Sequence, residues 1–222
     1  MRWRGNRRIL SALDVRAPFA IEEELLFLTR AMIVQAGKAT LLLVGLMLPL
    51  WVATRFAISV YRRRRGRQTS TSRELLLASL FLYLVFLAAV TIVPLPMSRS
   101  RIPRADDINL VPILPLLRCF QLQPSGIPES RRFCIQNLLG NIVLFLPLGI
   151  LLPLVFQRIN SLQRVLIVAA VASCGIELTQ FVSRQFGSYR YVDINDVILN
   201  TLGACLSFAC FAIVRHYACA ER

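Results

Sequence analysis

The chain has 222 residues, 56% of them hydrophobic, with a mean hydropathy of +0.59 and a formal net charge of +14. A water-soluble domain of this length rarely carries so much apolar sequence, and runs of about 20 apolar residues are long enough to cross a bilayer core of roughly 30 Å. The positive charge is Arg with one Lys, Lys38, set between apolar runs, which fits membrane topology and anionic lipid and leaves a nucleic-acid role weak. The Cys residues show no CxxC pair and His216 is the single His, so neither a metal site nor a cofactor is expected.

Residues 1–31 form a basic, then acidic N-terminal segment, with Arg2, Arg4, Arg7 and Arg8 ahead of Glu22, Glu23 and Glu24. No uninterrupted apolar run follows the early Arg cluster, as a secretory signal would require. A short helix from Pro18 lying on the membrane surface and a loosely ordered tail are equally compatible with this stretch.

Residues 32–222 read as an all-α integral membrane protein, a bundle of about five transmembrane helices. The first run, about Ala39–Tyr61, is interrupted by Pro49 and Arg55, with Arg55 placed to snorkel toward the interface. A basic stop, Arg62-Arg63-Arg64-Arg65-Gly66-Arg67, closes it. The second run is Leu75–Pro94, followed by a Pro- and Arg-rich connector over about 97–136. The third is Asn137–Phe156, the fourth Val165–Val182 and the fifth about Val197–Val214. Pro147 and Pro153 are expected to kink or break the third helix. The dense Arg loop at 62–73 is assigned to the inside, which places the N-terminus outside and the C-terminus inside.

The polar residues within these runs are the informative ones. Asn137 and Asn141 open the third run, Glu177 and Gln180 close the fourth, and Arg190, Asp193, Asp196 and Asn200 lead into the fifth. Residues three, four or seven apart share a helix face, so each set makes one stripe. Asp193 reads as an N-cap or the residue before one, and Asp196 as a first-turn acid. The topology brings all three stripes to the outer surface. Ionisable groups there are costly unless they pair or line a wet cavity. Arg190 is the expected counter-charge, with Arg184 second. A shared binding site and a purely structural Arg–carboxylate–amide network are equally compatible with the pattern.

The same residues resemble a known family. Asn137-Leu138-Leu139-Gly140-Asn141 with Leu144-Phe145-Leu146-Pro147-Leu148-Gly149 resembles the N-x-x-G-N-x-x-x-F-x-P-x-G signature of VanZ-like membrane proteins. Glu177-Leu178-Thr179-Gln180 is similar to its E-x-x-Q, and Asn109-Leu110-Val111-Pro112 to its N-L-x-P. The run from Arg190 through Asp193, Asp196 and Asn200 to Gly203 is similar to its R-x-x-D-x-x-D-x-x-x-N-x-x-G. The resemblance covers about 83–214. It departs after Gly203, where Ala204, Ser207 and Ala209 stand in a stretch often occupied by glycines.

The resemblance implies a multi-pass protein of the bacterial cell membrane, acting at the cell envelope and linked to low-level resistance to the glycopeptide teicoplanin. It implies as partners membrane lipid and a cell-wall precursor or glycopeptide-related ligand. Asn109, Asn137, Asn141, Glu177, Gln180, Arg190, Asp193, Asp196 and Asn200 are the ligand-binding candidates. A non-enzymatic binding role is the leading expectation, because no Ser–His pair or metal-ligand set is present. The alternatives are a membrane enzyme using paired carboxylates or a proton- or cation-coupled transporter of an envelope lipid or wall precursor.

The small residues carry further expectations. Gly140, Gly149, Gly175 and Gly203 are candidates for close helix packing, though glycine is common in such helices anyway. Cys174, Cys205 and Cys210 read as small apolar residues. Cys119 and Cys134 share the outer connector, and a disulfide between them is expected.

Overall fold

The computed structural model describes residues 17–67, 70–92, 108–113, 117, 128–184 and 191–220. The elements run α1 (Ala17–Arg64), α2 (Thr71–Thr91), β1 (Ile108–Asn109), α3 (Pro128–Val155), α4 (Leu162–Ser183), β2 (Val192–Asp193) and α5 (Ile194–Ala220). Five of these are helices long and apolar enough to cross a membrane: Ile33–Arg64, Thr71–Thr91, Cys134–Val155, Leu162–Ser183 and Ile194–Ala218. At 1.5 Å per residue, the shortest is roughly 31 Å long, matching a bilayer core. Helices keep every backbone bond within the segment, which lipid demands. The chain is a multi-pass membrane protein.

α1 is one continuous helix, so the acidic stretch at 22–24 belongs to it and forms no separate surface helix. Residues 1–16 lie outside the described residues. Pro49 sits inside α1 without ending it. Arg62, Arg63 and Arg64 occupy the last turn, where cations favour the negative helix end. Gly66 then takes a φ of 70°, its N–H donates to the Arg63 carbonyl at 3.0 Å, and the Arg67 N–H donates to the Arg62 carbonyl at 2.9 Å. This paired closure needs a left-handed residue, which glycine adopts without a Cβ penalty.

Arg55 reaches toward the end of its span, where Glu74 stands in the first turn of α2. Its guanidinium grips the Glu74 carboxylate through Nη2 and Nε, at 2.6 and 2.9 Å, and ties α1 to α2. A carboxylate within reach satisfies the fork more fully than the interface would.

The core lies between α2, α3, α4 and α5. Phe145, Val165, Ala169 and Ala204 are fully enclosed, with Leu80, Tyr83, Leu148, Leu152 and Phe208 around them. α3 continues through both Pro147 and Pro153. The Tyr83 hydroxyl reaches across from α2 and donates to the Leu144 carbonyl at 3.0 Å, one residue past the Val143 carbonyl that Pro147 leaves without an intrahelical donor. Neighbouring helices supply such partners in membranes.

α3 and α5 approach until their backbones nearly touch. A Cβ on Gly149 would lie 2.0 Å from the Ala204 carbonyl oxygen, and one on Gly203 would lie 2.1 Å from that of Ile142. Gly140 and Gly175 face open space and serve no such contact. Cys134 lies within α3 rather than in a connector, and it is disulfide-bonded. Cys119, its expected partner, lies outside the described residues. Cys174, Cys205 and Cys210 are free thiols.

Candidate functional site

The site begins with a small piece of parallel sheet. β1 pairs with β2 in the register Ile108↔Val192 and Asn109↔Asp193. Each strand ends in a residue that folds the chain back on its own side chain. Asn109 Oδ1 accepts the Val111 N–H at 3.2 Å, and Asp193 Oδ1 accepts the Asn195 N–H at 2.8 Å. Both are turns that Asn and Asp make through local side-chain bonds. Asp193 immediately precedes α5, so the second of these bonds is also an N-cap.

The paired residues then join across the sheet. Asn109 Nδ2 donates to Asp193 Oδ1 at 2.9 Å. The Asn195 amide donates to the same oxygen at 2.7 Å and to the Val111 carbonyl at 3.2 Å. Asn195 Oδ1 accepts the Ile113 N–H at 2.7 Å. Ile113 carries a φ of 65°, the left-handed region that a β-branched residue rarely adopts. One buried Asn therefore holds the loop after β1 against the start of α5.

Two more carboxylates close on this frame. Glu177, near the end of α4, accepts the Asp193 N–H at 3.0 Å through Oε2. Asp196, in the first turn of α5, accepts from Asn141 of α3 at 2.6 Å, and the Asn137 amide lies near enough to act on its charge. Glu177, Asp193 and Asp196 lie close enough to feel one another's charge. The named hydrogen bonds to all three come from amides and backbone N–H groups.

The cluster grades from water to interior. Asn137 is exposed, Asn109, Asn141, Asp193 and Asp196 are half-buried, and Glu177 keeps 7% of its surface. Exposure therefore falls from the Asn137 amide to the Glu177 carboxyl. That arrangement can accept hydrogen bonds from a ligand's N–H or O–H groups and favours a cationic one.

Six of the nine candidate residues meet here: Asn109, Asn137, Asn141, Glu177, Asp193 and Asp196. Gln180 turns instead to α2 and donates to the Thr91 carbonyl at 2.8 Å. Asn200 lies one turn deeper in α5, where its Nδ2 donates to Ser173 Oγ at 2.8 Å. Its Oδ1 has no hydrogen-bond partner among the described residues. Arg190 lies outside the described residues, so the expected counter-charge has no placement. Arg184 caps the end of α4, with its backbone N–H turned to the Gln180 carbonyl.

Asn195 was absent from the sequence candidates, although it makes four of the hydrogen bonds that build the site. The signal was present. Asp193-Ile194-Asn195-Asp196 places three polar residues in four at the mouth of an apolar helix.

A family model described as VanZ/LLP1 matches residues 80–215, a stretch that holds every residue of this site. The chain belongs to the VanZ family. Comparison with curated proteins gave no match, and comparison with solved structures gave none.

Proposed function

We propose that this member of the VanZ family is a non-enzymatic protein of the bacterial cell membrane that binds a polar component of the cell envelope at its outer face. The observation that carries the reading is the convergence of Glu177, Asp193 and Asp196 on amide partners, graded from an exposed rim to a buried floor. Clustered carboxylates repel one another, and groups that donate to them lower that cost. A ligand bearing ammonium, amide or hydroxyl donors relieves that repulsion. Wall precursors and amine-bearing lipids present such groups. Withholding or repositioning a wall precursor would link the protein to glycopeptide susceptibility.

The outer-face placement rests on the Arg-rich loop at the opposite end of the bundle. Mass spectrometry of envelope lipids and precursors that co-purify with the protein tests the reading. An enriched species with a donor-rich headgroup is expected. Recovery of bulk lipid alone, in membrane proportions, would refute the binding role.

A further inference from the structure

At the end of the bundle away from this site, the start of α2 and the end of α3 enclose a pocket of about 490 Å³. Its polar wall is Ser70, Ser72, Arg73, Gln157 and Arg158, and its apolar wall is Leu76, Leu154, Val155 and Phe156. Both helices end here, so the pocket sits where a bilayer's headgroup layer meets its acyl chains.

Three features set its ligand chemistry. Two guanidiniums line one small space, an arrangement that favours an anion between them. Glu74, one residue after Arg73, feels the Arg73 charge but accepts its hydrogen bonds from Arg55, whose Nε and Nη2 hold its two oxygens. Ser70 precedes α2 with an extended backbone and makes no side-chain cap bond, which leaves its hydroxyl and the positive helix end facing the same region. Leu154 and Phe156, 41% and 44% exposed, continue the pocket as an apolar surface.

We propose that this pocket binds an anionic glycerophospholipid, with the phosphodiester held between Arg73 and Arg158 and an acyl chain along Leu76 and Leu154. A phosphate supplies charge for both guanidiniums and acceptors for the serine hydroxyls. The attached chain covers apolar surface that a free anion leaves bare. The site is separate from the amide–carboxylate cluster and does not depend on the function proposed for it.

The test uses purified full-length protein, stripped of lipid in a non-ionic detergent, and native mass spectrometry. Phosphatidylglycerol, phosphatidylcholine and inorganic phosphate are titrated separately and in competition. Phosphatidylglycerol is expected to bind about tenfold or more tightly than phosphatidylcholine, since each nearby Arg contributes a comparable attraction. The R73A/R158A variant should lose about tenfold or more of that binding, while R73K/R158K keeps most of it and Arg63→Ala, outside the pocket, leaves it unchanged. Three results would overturn the proposal: equal binding of the two lipids, binding by R73A/R158A that matches the unaltered protein, or a loss in R73K/R158K as large as in the alanine pair. Displacement of the lipid by inorganic phosphate at equal concentration would also overturn it, by assigning the pocket to a free anion.

Discussion

Asn195 keeps 2% of its surface and joins the β1 loop to the mouth of α5. Replacing it by Ala strands the Ile113 N–H and the Val111 carbonyl and removes a donor from Asp193. Val111 and Ile113 are about half exposed, so water replaces part of what is lost, and Asn195→Ala should destabilise the protein by about 1 kcal/mol, the net worth of a typical hydrogen bond. Denaturant unfolding in mixed micelles measures this; an unchanged midpoint would show that the loop is held elsewhere. Much of the rest of the cluster is legible from sequence. Asp193 and Asp196 announce themselves as cap and first-turn acids, and Asn137 and Asn141 share a helix face by spacing. Asn195 does not, because an Asn near a helix start is ordinary. Its partners Val111 and Ile113 are more than 80 residues away in sequence, and their placement depends on a strand pairing of two residues. Gln180 and Asn200 misled for a related reason. They share the right faces, but Asn200 lies one turn deeper in α5 and bonds to Ser173, while Gln180 lies one turn nearer the end of α4 and bonds to Thr91.

At the scale of elements, glycines of similar appearance have opposite roles. Gly149 and Gly203 lie where α3 and α5 backbones meet, so Gly149→Ala or Gly203→Ala must push the helices apart. Overpacking of this kind costs about 1–3 kcal/mol or more, and folded yield in detergent should fall. Gly140→Ala and Gly175→Ala meet nothing within 4 Å and should be neutral or slightly stabilising. Equal effects across the four substitutions would contradict the packing. Sequence alone could not separate the pairs, because helix rotation is set by neighbours and not by the glycine. Arg55 and Glu74 show the same limit. Each reads as a span-end charge, and only the antiparallel docking of α1 on α2 makes them a pair. Glu74→Gln leaves the guanidinium half-satisfied and should weaken α1–α2 docking. The loss should be smaller than the roughly 3–5 kcal/mol seen for fully buried pairs, since the two side chains are 18% and 32% exposed. Protease sensitivity of α1 in the variant measures it, and unchanged sensitivity would show that apolar contacts alone hold α1 on α2.

For the whole molecule, five spans separate an acidic, amide-lined end from an Arg-rich one. The span count was readable because apolar runs this long have few other uses, and the boundaries moved by only a few residues apart from the earlier starts of α1 and α3 and the later end of α5. The relation between the ends was readable only as charge density. The proposed orientation places Arg67 inside. A Cys introduced at Arg67, which is exposed, should resist a membrane-impermeant maleimide in intact cells and react after permeabilisation. Reaction in intact cells would reverse the orientation and move the acidic cluster to the inner face.

The central claim is that the carboxylates bind a ligand and do not merely hold the bundle together. Asp196→Asn keeps the shape and can still bond to Asn141, so it separates the two roles. The decisive measurement compares thermal stability and co-purified envelope ligand on the same preparation of this variant. The binding account predicts a melting temperature close to that of the unaltered protein together with loss of the ligand. A variant that retains the ligand, or loses it only in step with its stability, would contradict the account and make the cluster structural.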